Sequence, residues 1–114
     1  MLPAAARLRK EQDVQRVRRF GRQARTTHLA VRVAKSSVKG PRLTVVVAKR
    51  VDKRATVRNS IKRKIRAQLQ ELYPKLLTHC DILISTQPST KNCTSSDLRA
   101  DLEFLFRRLR LFHS

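Results

Sequence analysis

The sequence predicts an α+β fold in which helices pack on one small sheet. Three observations carry this: β-branched or alternating apolar runs at 28–34, 42–49 and 80–86; an apolar row Ile61, Ile65, Leu69, Leu72 at helical spacing; and a second such row near the end of the chain, Leu98, Leu102, Leu105, Phe106, Leu109. With 114 residues there is room for one compact domain, 1–114, around a single modest core.

The elements follow in order. In LRKEQDVQRVRRF (8–20) the residues Leu8, Val14, Val17 and Phe20 recur at near-helical spacing, and Gly21 closes the helix. HLAVRVA alternates Leu29, Val31 and Val33 with Ala30 and Arg32, the period of a strand with one buried face. After the turn-forming KSSVKGP, RLTVVVAK is nearly continuous in apolar character, which predicts a central strand buried on both faces and antiparallel to the one before it. The Ile61 row defines an amphipathic helix over 57–72 that must stop near Pro74. CDILIST reads as a further buried strand, and STKNCTSS as a polar turn offering helix N-caps. The last helix has Asp97 and Asp101 near its start and Arg107, Arg108 and Arg110 near its end, matched to the helix dipole. The expected order is α-β-β-α-β-α, with residues 50–54 as a candidate further strand, and a helix linking two strands implies a crossover.

Charge narrows the function. Lys and Arg number 27 against 8 Asp and Glu, a net +19, and self-repulsion on that scale calls for a polyanionic partner, nucleic acid above all. With one Tyr, four Phe and no Trp, base stacking is sparse and phosphate contact must carry most of the binding. No apolar run has the length of a membrane span, and the opening MLPAAARLRKEQ breaks into charge too early for a secretory h-region, so a cytoplasmic protein without a membrane partner is expected. Cys80 and Cys93 have no CxxC pairing and no nearby His cluster, which predicts buried structural thiols rather than a zinc site or a disulfide framework.

The densest chemistry lies in KRVDKRATVRNSIKRKIR, where Lys49, Arg50, Lys53, Arg54, Arg58, Lys62, Arg63, Lys64 and Arg66 surround one acid, Asp52. On a helix each four-residue step advances about 40°, so Arg58, Lys62 and Arg66 form a slowly drifting row beside the Ile61 and Ile65 stripe, with Asn59 and Arg63 alongside. Such a row neutralises successive phosphates without reading base sequence. A merely solvated face is the plainer alternative, but no acidic row answers these cations at i, i+4 spacing. No nucleophile and base are paired here. Asp97, Asp101 and Glu103 read as helix-start charge, and His28, His79 and His113 form no cluster, so no catalytic residue and no metal ligand is assigned.

Arg58, Asn59, Lys62, Arg63 and Arg66 resemble the RNR signature of the bacterial ribonuclease P protein component family, with Ser60 standing where that family usually has a second Arg. The resemblance continues in order through RLRKEQDVQRV before Gly21, LTVVVAKRV, DILISTQP and LRADLEFLFRRL. It implies a two-layer α/β sandwich, ribosomal S5 domain 2-like, with a left-handed βαβ crossover against the general rule. It also implies that the basic segment faces the catalytic RNA of ribonuclease P, one protein per RNA, and that a cleft between the first helix and the sheet holds the 5′ leader of precursor tRNA. The positions matching that cleft are Val14, Arg18 and Arg32, with Phe20 as a partial substitute for the family's aromatics, although its spacing fits better a core residue at the helix end. Hydrolysis would then depend on Mg²⁺ held mainly by the RNA subunit, with no organic cofactor. A structural ribosomal protein explains the charge and size nearly as well; a helix-turn-helix DNA binder and a self-sufficient nuclease explain less.

Overall fold

The computed structural model describes residues 6–113; residues 1–5, part of the opening segment just discussed, and Ser114 lie outside the described residues. Three helices, α1 (Glu11–Phe20), α2 (Ala55–Leu72) and α3 (Ser95–Arg108), surround four strands, β1 (Arg22–Arg25), β2 (Leu29–Lys35), β3 (Arg42–Val46) and β4 (Cys80–Thr86). The sheet order is β1-β2-β4-β3, antiparallel except for the parallel pair β3 and β4, which α2 connects as the expected crossover.

Register explains the core. Ala24, Val31, Ile84 and Val45 align across the four strands and so share one face. That face packs on Ile61, Ile65, Leu69 and Leu72 of α2 and on Leu98, Leu102, Leu105 and Phe106 of α3, all buried in one cluster. These two helices and the sheet are the layers of the sandwich. Leu83 faces the other way and, with Ala34 and Val46, packs on Leu8, Val14 and Val17, so the short α1 lies across the opposite face. Covered on both sides, β4 is buried along nearly its whole length.

Several expectations change. RLTVVVAK is not the central strand and does not pair with HLAVRVA, because β4 inserts between them and leaves β3 near the sheet edge. Its apolar run has another cause: Val45 and Val47 enter the main core while Val46 packs toward α1. Residues 50–54 form no strand but part of a turn. The fourth strand is instead RQAR (22–25), an edge strand with only Ala24 buried. The first helix starts at Glu11; Leu8 precedes it, extended beside β3, with its N–H donating to the Leu43 carbonyl at 2.8 Å. The N-cap of α3 is Thr94, whose hydroxyl accepts the Asp97 N–H at 3.1 Å while the Asp97 carboxylate accepts the Thr94 N–H at 2.9 Å. Those two hydrogen bonds hold the Asp97 carboxyl below the usual range.

Gly21 joins α1 to β1, and its role is close approach rather than a special dihedral. Its φ is −74°, open to any residue, but a Cβ there would lie 2.4 Å from the Val17 carbonyl oxygen and 3.0 Å from that of Val33. Both neighbours are backbone and cannot swing aside. Gly21→Ala is therefore expected to destabilise the protein by about 1–3 kcal/mol, read as a lower urea midpoint; an unchanged midpoint would mean that the junction relaxes freely.

Candidate nucleic-acid interface

The site is best understood from the acids, because each of the chain's 8 carboxylates is engaged inside the structure. Glu11 accepts from Gln15, Asp101 from the Thr26 hydroxyl, and Asp97 caps α3. Glu71 and Glu103 share Arg99, at 2.5 and 2.7 Å, and Glu103 also meets Arg107. Asp13 and Asp81 hold Arg42, Asp81 also holds Arg16, and Asp52 is paired with Arg54 and Lys91. Most cations are left with no carboxylate to answer them.

Asp52 organises the turn that leads into α2. Its carboxylate accepts the Arg54 N–H at 2.8 Å, the Arg54 guanidinium at 3.0 and 3.1 Å, and stands 3.1 Å from the Lys91 ammonium. The Arg54 guanidinium above all, then the Arg54 N–H and Lys91, keep this carboxyl well below the ordinary range. Arg58 folds back and donates to the carbonyls of Asp52 and Lys53 at 2.9 and 2.8 Å. Two of the expected RNA contacts, Arg54 and Arg58, thus also stitch this turn together.

The remaining cations of the segment are free of such duties. Lys49, Arg50, Lys53, Arg63, Lys64 and Arg66 are exposed, as is Asn59, while Lys62 is half-buried. None forms an ion pair among the described residues. Ser60 is half-buried, so the position lacking the family's second Arg is not on the most open row.

On the opposite face of the sheet α1 is tied down through polar contacts. Arg16 of α1 and Arg42 of β3 both bind the fully buried Asp81 carboxylate, Arg42 at 2.7 Å through two nitrogens, and Arg42 reaches Asp13 of α1 at 3.4 Å. These hydrogen bonds and charges, Asp81 foremost, raise the Arg42 pKa above its usual value. Near the end of α1 the Arg32 guanidinium donates to the Arg18 carbonyl at 2.6 Å. Arg18 itself is exposed, and Val14 is half-buried against the small apolar cluster.

Phe20 corrects the sequence reading. It is 74% exposed rather than a core residue, because the apolar patch under α1 ends at Val17 and the last turn overruns it. The Arg19 guanidinium stands 5.9 Å from its ring centroid. Gln23 and Arg25, exposed on β1 and on the same sheet face as Arg32, extend this surface. They were invisible in the sequence because RQAR carries no strand pattern.

Among the described residues no group of three or more His, Cys, Asp or Glu could hold a metal, and no helix is long and apolar enough to cross a membrane. Cys80 and Cys93 are buried and unpaired; burial pushes the Cys80 thiol up to about 11 and raises that of Cys93 as well. His28 contacts the Ser89 hydroxyl at 2.7 Å.

Comparison with known proteins gives concordant matches. The family model described as Ribonuclease P matches residues 2–110. The ribonuclease P protein component of Cyanothece sp. is 32% identical over 129 aligned positions, covering 99% of this chain and 98% of that protein. That of Beutenbergia cavernae is 36% identical over 104 positions, with 90% and 87% covered. A solved structure of the Staphylococcus aureus RNase P protein superposes with a TM-score of 0.86 at 25% identity, covering 95% of this chain and 98% of that one.

The Asp52 turn has a pH signature. A carboxyl whose pKa is depressed by folding contributes stability above its unfolded value, about 4, and that stability is lost as pH falls through the folded value. Asp52→Asn should lower the melting temperature at neutral pH and make its decline below about pH 4 shallower than in the native chain. Parallel acid profiles for the two proteins would show that the turn does not depend on this charge.

Proposed function

The chain belongs to the ribonuclease P protein family, and from that premise, a subunit acting in tRNA 5′ processing, we propose that it binds the catalytic RNA through α2 and its preceding turn and the 5′ leader of precursor tRNA along α1 and the sheet. The carrying observation is the distribution of charge: the acids are all engaged internally, while Lys49, Arg50, Lys53, Lys62, Arg63 and Arg66 belong to one segment whose single acid, Asp52, is buried and already paired with Arg54 and Lys91. A cationic surface of this kind screens the repulsion between two polyanions, the RNA subunit and its substrate.

In this reading hydrolysis is carried by Mg²⁺ held mainly by the RNA, and the protein acts by binding and positioning. One protein per RNA, working in the cytoplasm, fits this role. Backbone-directed cations give little base selectivity, so leader recognition should be tolerant of sequence. Phe20 supplies one exposed ring for stacking beside Arg18 and Arg32.

The direct test is reconstitution of the chain with a bacterial ribonuclease P RNA at low Mg²⁺, assaying cleavage of a precursor tRNA that carries a leader. Strong stimulation by the protein is expected. RNA binding without stimulation would point to a structural ribosomal role and defeat the proposal.

Arg63→Ala and Arg66→Ala should each weaken binding to the catalytic RNA and lower the slope of log affinity against log salt by about 1, with circular dichroism and melting unchanged. Arg58→Ala should weaken binding and also lower the melting temperature, because its guanidinium holds the Asp52 and Lys53 carbonyls. Unaltered affinity in the first two variants would take them out of the interface. Phe20→Ala is expected to cost about 1–3 kcal/mol of affinity for leader-bearing precursor and nothing for mature tRNA; equal losses on both substrates would remove Phe20 from the leader path.

A further inference from the structure

At the outer edge of β3 the chain leaves a cavity of about 470 Å³ between the N-terminal segment, β3 and the middle of α2. That volume suits a small organic ligand. The buried side chains of Leu8, Leu43, Val45 and Leu69 make its floor. Arg7 and Arg9 rise on one side and Arg63 and Arg66 on the other, all exposed, and no acid lines it. None of these arginines has an ion-pair or side-chain hydrogen-bond partner among the described residues, in contrast to Arg16, Arg42 and Arg54.

The strand edge adds a second element. The N-terminal segment bridges β3 only at Leu43, opposite Arg7, and there the Leu8 N–H donates to the Leu43 carbonyl on the side away from β4. Along a strand, alternate residues present their main-chain groups to the same side, so Val45 offers its N–H and C=O at this free edge, above the apolar floor. An apolar floor, an adjacent donor and acceptor pair and a cationic rim match the three parts of a nucleotide: a flat base, its hydrogen-bonding edge and its phosphate.

We infer that this cavity takes one unpaired nucleotide of the RNA partner, its base lying over Leu43, Val45 and Leu69 with its edge on the Val45 main chain and its flanking phosphates on the arginine rim. The inference rests on the RNA-binding reading above and names what that surface does beyond neutralising phosphates. A peptide strand fits less well, because Leu43 is already bridged and β3 ends at Val46, leaving too little free edge for a ladder. The arginine rim also favours a polyanion.

Two measurements test this. Gln70, exposed at the rim, can be replaced without altering any charge. Gln70→Trp, which obstructs the mouth, should weaken binding of a bacterial ribonuclease P RNA about tenfold with the salt slope unchanged. It should also render reactive, to a base-modifying reagent, one unpaired nucleotide that the native chain protects. Native affinity and protection in this variant would overturn the inference while leaving the RNA-binding proposal standing, whereas failure of the native chain itself to bind that RNA would remove both. Independently of any variant, titration of the isotope-labelled native chain with adenosine 5′-monophosphate should shift the Val45 amide resonance more than inorganic phosphate at equal concentration. Equal shifts would reduce the cavity to an anion rim and overturn base insertion.

Discussion

The carboxylate of Asp81 is the interaction on which the placement of α1, and with it the proposed leader-side surface, depends. It sits in the central strand with no exposure to solvent, where an unpaired carboxylate would be untenable. Two guanidiniums satisfy it, one from α1 and one from β3, and the β3 arginine reaches back to Asp13 on α1. The apolar cluster beneath the helix, centred on Leu8, Val17 and Leu83, is small beside the main core. Ion pairs therefore do on this face what hydrophobic burial does on the other. Because Arg16 keeps 35% of its side-chain surface in water, the contact is strong enough to orient the helix and open enough to stay solvated at its rim.

The same logic governs the whole charge pattern. A chain with 27 basic and 8 acidic residues must choose where its few carboxylates go, and here they stitch α1 to the sheet, the basic turn to its own backbone, and α3 to α2 and to Thr26 in the β1–β2 loop. Structure consumes the acids, so the functional surface is cationic by default. Among the described residues no group of three or more His, Cys, Asp or Glu could hold a metal.

Much of this was legible in the sequence where one physical signal dominates. The α2 and α3 rows and the β2 and β4 runs were readable because apolar periodicity reports burial directly. β1 was not, since RQAR becomes a strand through pairing with β2 rather than by its own composition. Three successive valines, Val45 to Val47, suggested a central strand because helices on both faces of the sheet give even β3 a continuous apolar run. The basic segment was plain from charge alone, yet the share of Arg54 and Arg58 in holding the Asp52 turn needed coordinates. Phe20 misled because spacing records the face of a helix but not where the surface beneath it ends.

In the proposed role a buried ion cluster, separate from the main core, positions α1 for the leader. Amide hydrogen exchange on Asp81→Asn, paired with binding to the catalytic RNA and to leader-bearing precursor tRNA, tests it most directly. Faster exchange is expected in α1 with α2 and α3 still protected, together with a loss of leader affinity and retained RNA affinity. Undiminished protection of α1, or an equal loss of both affinities, would contradict it.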